Sequence, residues 1–203
     1  MKPGLLVLLL LPALFQLGQT QDSIRNPRQL GCERIYGNYN DMQTLFRRPM
    51  QAGDRLVVNG TASPRALVIR IQIDTLVPRA VPIHVRSNMG SEMIYNSWTD
   101  GKWAQRETGP MPYVRGEQFL ITIEYTGTSF NVYSGSTLIK NFAQRTPNSY
   151  ELAAANLVGT FSTNWMELVC RNPPPGNGNG NGNGHGHGHG HGHGSSSSSS
   201  EEC

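Results

Sequence analysis

An alternation of apolar and polar side chains with a period of two constrains this chain more than any other feature. From Leu67 to Asp74 it puts Leu67, Ile69, Ile71 and Ile73 on one face and Val68, Arg70, Gln72 and Asp74 on the other, as in a strand buried on one side. Phe119, Ile121, Ile123 and Tyr125 repeat the pattern, Gly127 marks a turn, and Phe130 and Val132 open a returning strand, which predicts a hairpin. Between Arg55 and Leu168 such runs follow one another without a helical stripe. Closely spaced strands with no intervening helices cover their apolar faces by forming a sandwich or a barrel, so the expected class is all-β.

Residues 1–20 stand outside this pattern. Lys2 precedes an apolar run from Leu5 to Leu11 that continues to Phe15, with Gly18 and Thr20 at small-residue positions before a break. This reads as a secretory leader and implies an extracellular protein. The run is shorter than the roughly 20 apolar residues of a membrane span, so no membrane span is expected. Residues 21–32 form an N-terminal segment, and residues 33–170 have the size of one domain with a single core. The net charge is +3 and the basic residues are scattered, with Arg47-Arg48 the only adjacent pair in the body of the chain. That leaves no footprint for nucleic acid.

There are three cysteines. In an oxidising compartment Cys32 and Cys170, which bracket the domain, are the expected disulfide, two free buried thiols being the alternative. Cys203 is then left over to join a second chain in a dimer or to take a small thiol. Residues 171–203 change composition abruptly, from three prolines to Gly alternating with Asn, then with five histidines, then six serines. With almost no apolar side chains they predict a disordered tail. His185, His187, His189, His191 and His193 are spaced to bind Zn, Cu or Ni through neutral imidazoles, and a solvated spacer is the plain alternative. No cofactor is required.

The chemistry concentrates between Val81 and Pro112. The strand period aligns His84, Arg86 and Asn88 on one face, with Ile83 and Val85 on the other. Asn96 follows in Tyr95-Asn96-Ser97, then Trp103 in Asp100-Gly101-Lys102-Trp103, then Arg106 and Glu107. Fixed donors and acceptors suit hydroxyl groups, and an exposed aromatic ring offers a flat partner for the apolar face of a pyranose. Trp98 and Trp165 lack such polar company and read as packing residues. Asn59-Gly60-Thr61 is a sequon for N-glycosylation.

The chain resembles the galectin family, the galactoside-binding lectins. His84, Asn96 with Ser97, and Gly101 with Trp103 fall where that family carries H-x-N-x-R, N-S and G-x-W-x-x-E-x-R. Gly53 to Gly60, Phe130 to Tyr133, and Asn141 to Arg145 look like its outlying strands. The resemblance covers about residues 33–170. It implies a galectin-like jelly roll of two antiparallel sheets, a saccharide on one concave face, and neighbouring first and last strands. The implied function is a secreted carbohydrate-binding protein for β-galactoside-like or related glycans or glycoproteins. Its carbohydrate-binding residues would be His84, Arg86, Asn88, Asn96, Trp103 and Glu107.

Two departures stand out. Arg86 and Asn88 exchange the family's Asn and Arg, and Arg106 falls where it has Glu, so Glu107 takes the acid's place only if the strand slips by one residue. A changed glycan preference follows. The alternative is a galectin-fold structural protein of the extracellular matrix, with a metal- or mineral-binding tail and no sugar. Catalysis is not expected: the domain has one histidine and no nucleophile motif, and Glu92 with Glu107 is the only acid pair near the site.

Overall fold

The structure is a computed structural model that describes residues 28–172. The leader, most of the tail with its five histidines, and Cys203 lie outside the described residues. Every regular element among the described residues is a β-strand, and the strands form two sheets.

The eight-stranded sheet runs β1 (Arg28–Leu30), β3 (Met42–Phe46), β13 (Ala154–Gly159), β5 (Val68–Thr75), β6 (Ala80–Asn88), β7 (Glu92–Thr99) and β8 (Lys102–Trp103), with β9 (Glu107–Pro110) also paired to β7. The six-stranded sheet runs β12 (Thr137–Ala143), β11 (Ser129–Ser134), β10 (Gln118–Tyr125), β4 (Arg55–Ala62), β14 (Phe161–Val169) and β2 (Arg34–Tyr36). Alternation explains how they stack. Ile69, Ile71 and Ile73 on β5 and Ile83 and Val85 on β6 are buried, as are Leu56 and Val58 on β4 and Phe119, Ile121 and Ile123 on β10. All belong to one hydrophobic core, so each sheet covers the apolar face of the other. The hairpin expected around Gly127 is β10–β11, which pairs Tyr125 with Phe130.

Two expectations need correction. Leu67 is 71% exposed rather than a core residue. The β5–β6 ladder ends at Val68 opposite Asn88, and Leu67 lies just past a turn closed by the Ala66 amide donating to the Ser63 carbonyl. The sheets are also not wholly antiparallel, because β1 pairs with β3 in parallel. Between them β2 crosses to the other sheet, so the chain re-enters the first sheet in its original direction.

The ends of the described segment are tied together. Cys32 and Cys170 form a disulfide across a sequence separation of 138, with Cα atoms 5.3 Å apart. Beside it Asp54 is fully buried and accepts hydrogen bonds from Arg48 Nη1 at 2.7 Å, Gln51 N at 2.8 Å and Arg171 N at 2.9 Å. Burial pushes the Asp54 carboxyl up, but these donors outweigh it and hold the group below the ordinary carboxylate range.

Candidate functional site

On β6 the period-two pattern buries Ile83, Val85 and Ser87 and turns His84, Arg86 and Asn88 to the outer face of the eight-stranded sheet. Neighbouring strands extend each position into a row. Gln72 on β5 is opposite His84, which is opposite Asn96 on β7; one step along, Arg70 is opposite Arg86, which is opposite Ile94. The β7–β8 connection supplies the aromatic ring. Asp100 and Gly101 both have positive φ, 51° and 78°, the sign that a two-residue type I′ turn requires, and the turn sets Trp103 opposite Trp98. Trp103 is 52% exposed, and its ring centroid lies 5.0 Å from that of His84.

These rows border an open groove of about 430 Å³, which Arg106, just before β9, completes. A second depression of about 300 Å³ shares Gln72 and Trp103 with it and is also lined by Arg79, Val81 and Trp98. The polar groups are partly committed. Asn96 Oδ1 accepts from the Ser97 amide at 2.8 Å, leaving its Nδ2 free to donate. Gln72 Nε2 donates to Asp74 Oδ1 at 2.7 Å. Arg86 Nε donates to Asn88 Oδ1 at 2.8 Å, leaving its terminal nitrogens free. Burial, then Arg70 and Arg86, lower His84 to about 4, so the imidazole is neutral at pH 7 and offers one donor and one acceptor.

His84, Arg86, Asn96 and Trp103 are thus brought together, and two other expected site residues are not. Asn88 shares their face but lies outside the groove lining and holds Arg86 in place. Glu107 is on the wrong side of the sheet: it pairs with Tyr95, a buried inward-facing residue, and is bound by Lys140 at 2.5 Å and by Arg145. Lys140 above all, with Arg145, holds the Glu107 carboxyl below its usual range. No one-residue slip occurs, because β9 pairs Glu107 with Tyr95 and Thr108 with Ile94, so Arg106 reaches the groove and Glu107 does not. Nor do Glu92 and Glu107 form a facing acid pair: Glu92 is on the outer face with its oxygen 3.8 Å from Arg106.

Sequence reasoning missed Arg70, Gln72 and Ile94, and noted Arg106 without counting it among the binding residues. For Arg70 and Gln72 the signal was present, since alternation set both on the polar face of β5; only the pairing of β5 with β6 puts them beside His84 and Arg86. Trp98, read as packing, is also on the groove side. Trp165 is half-buried on the outer face of the other sheet under Arg34, whose guanidinium carbon is 3.9 Å from the ring centroid. Asn59 is half-buried in the middle of β4, donating to the Phe119 carbonyl at 3.2 Å and accepting from Asn164 at 2.9 Å. Among the described residues no group of three His, Cys, Asp or Glu side chains could hold a metal ion.

Residues 41–162 match the galactoside-binding lectin family. The uncharacterized protein F40H6.5 of Caenorhabditis elegans is 28% identical over 156 residues, which cover 72% of this chain and 13% of that protein, so the chain spans only a small part of this relative. The crystal structure of the Caenorhabditis elegans galectin LEC-6 superposes with a TM-score of 0.61 at 13% identity, covering 66% of this chain and 94% of the galectin. Sheep galectin-11, solved in complex with glycerol, gives a TM-score of 0.57 at 14% identity, covering 64% of this chain and 97% of that one. At these identities the solved structures speak for the fold. The family match spans more than half of the chain and coincides with the two-sheet sandwich and its polar, aromatic groove: the chain belongs to the galactoside-binding lectin family.

Proposed function

We propose that this protein is a secreted lectin that holds a β-galactoside-like or related saccharide in the groove of the eight-stranded sheet. The observation that carries the reading is the approach of His84 and Trp103, 5.0 Å between centroids, at the edge of an open polar groove. A pyranose whose apolar face lies on the exposed Trp103 ring brings its hydroxyls within reach of the neutral His84 imidazole, Asn96 Nδ2 and the free nitrogens of Arg86. The groove is shallow, so affinity at one site is weak and avidity comes from clustering. In this reading Cys203 links two chains, the tail histidines take up Zn, Cu or Ni, residues 1–20 direct export, and any glycan on Asn59 projects from the sheet opposite the groove. The protein binds and does not catalyse.

A glycan array probed with the wild type and with Trp103→Ala tests this. Galactoside-containing glycans bound by the wild type and weakened by about fivefold or more in the variant support the lectin, ring stacking being worth about 1 kcal/mol or more. No glycan signal, or equal signals from both proteins, would favour the structural extracellular-matrix role.

A further inference from the structure

The outer face of the eight-stranded sheet concentrates positive charge where the groove lies. Arg70 from β5, Arg86 from β6 and Arg106, just before β9, all line it, and no carboxylate does. Two acids flank it. Asp74, further along β5, has both oxygens occupied by the amides of Gln72 and Gln43. Glu92, on β7, lies 3.8 Å from Arg106 in an exposed pair. Arg70 and Arg86 form no ion pair among the described residues, though they are directly opposed across the β5–β6 ladder. Like charges so placed destabilise a sheet unless an anion joins them. Arg86 is also preorganised: Asn88 fixes its Nε and leaves the terminal nitrogens, the part of a guanidinium suited to a planar or tetrahedral oxyanion.

We propose that the groove selects a saccharide carrying an anionic substituent, a sulfate ester or a carboxylate, over the neutral sugar. The proposal rests on the reading of the groove as a glycan site and adds the class of glycan. The sugar ring packs on Trp103, and its anionic group lies between Arg70 and Arg86, with Arg106 adding field from just before β9. His84 stays neutral at pH 7 and supplies polar contacts, so selection for charge comes from the arginines.

Calorimetric titration of the full chain tests it with four probes: lactose, a sulfated lactose, a sialylated lactose and inorganic sulfate. At low salt the sulfated or the sialylated sugar binds at least about tenfold more tightly than lactose, the equivalent of one charge-assisted hydrogen bond. That ratio shrinks as salt is raised, and in Arg70→Gln and Arg106→Glu it falls to within about twofold, with unfolding midpoints checking that both variants fold. Which anionic sugar leads distinguishes sulfate from carboxylate. Lactose binding as tightly as either charged sugar overturns the proposal and leaves the lectin standing. Inorganic sulfate matching the sulfated sugar reduces the groove to an anion site and overturns selection of a saccharide. No binding of any probe overturns both.

Discussion

Arg70 on β5 and Arg86 on β6 are paired residues in adjacent strands, and their positive charges meet on the face that carries His84. The imidazole feels both, along with burial among Gln72, Asn96 and Trp103 around it. Its pKa of about 4 follows, with burial the larger cause.

The titration of His84 is therefore a readout of the groove. Nitrogen-detected NMR of the full chain should show the His84 imidazole titrating near 4. Arg70→Gln should move it upward, and an anionic ligand should do the same. The unfolded chain protonates His84 near 6.5 and the folded chain only near 4, so between those values the unfolded state binds more protons. This group contributes nothing above the window, and its effect on stability becomes unfavourable as pH falls through it. A His84 resonance that titrates at 6.5 in the folded protein would contradict the geometry.

The Asp100-Gly101 turn should matter to binding far more than to folding. A Cβ added at Gly101 meets nothing within 4 Å, so Gly101→Val acts through the positive φ alone. The left-handed conformation costs a non-glycine residue about 1–2 kcal/mol, enough to displace a two-residue strand at the sheet's end and Trp103 with it. Glycan affinity should fall by about tenfold while the unfolding midpoint moves by only a few degrees, as measured by calorimetry on the same preparations.

Asp54 is expected to be the most sensitive acid in the domain. It is completely buried and gathers Arg48, the Gln51 amide and the Arg171 amide beside the disulfide. Asp54→Ala strands the Arg48 charge and should cost about 3–5 kcal/mol in urea unfolding. The folded pKa is lowered, so the favourable contribution of Asp54 is present above its unfolded value and is lost as pH falls through the folded one.

Removing the disulfide should have a comparable effect by another route. Closing a loop across a separation of 138 restricts the unfolded chain by on the order of 5 kcal/mol in the chain-entropy model. Cys32→Ala with Cys170→Ala should lower the urea midpoint accordingly, and an unchanged midpoint would contradict the chain-entropy account of this crosslink.

The fold was legible because its signal is local. Alternation in β5, β6 and β10 dictates which side of each strand is buried, and Gly127 announces its turn. The groove was half legible. His84, Arg86, Asn96 and Trp103 share one run of sequence, whereas Arg70 and Gln72 join them only through the β5–β6 register, which no local pattern states. Glu107 was misassigned for the same reason, since only the pairing of β9 with β7 shows that Arg106 and not Glu107 faces the groove. Leu67 fits the alternation of β5, but the ladder stops one residue short of it.

The account turns on whether sugar meets the Trp103 side of the molecule. An NMR titration of the full chain with a galactoside, following the indole signals of Trp103 and Trp165 and the ring of His84, addresses this directly. Saturable shifts at Trp103 and His84, with Trp165 on the opposite sheet unmoved, are the predicted result. Shifts centred on Trp165, or none at millimolar sugar of either neutral or anionic type, would contradict it.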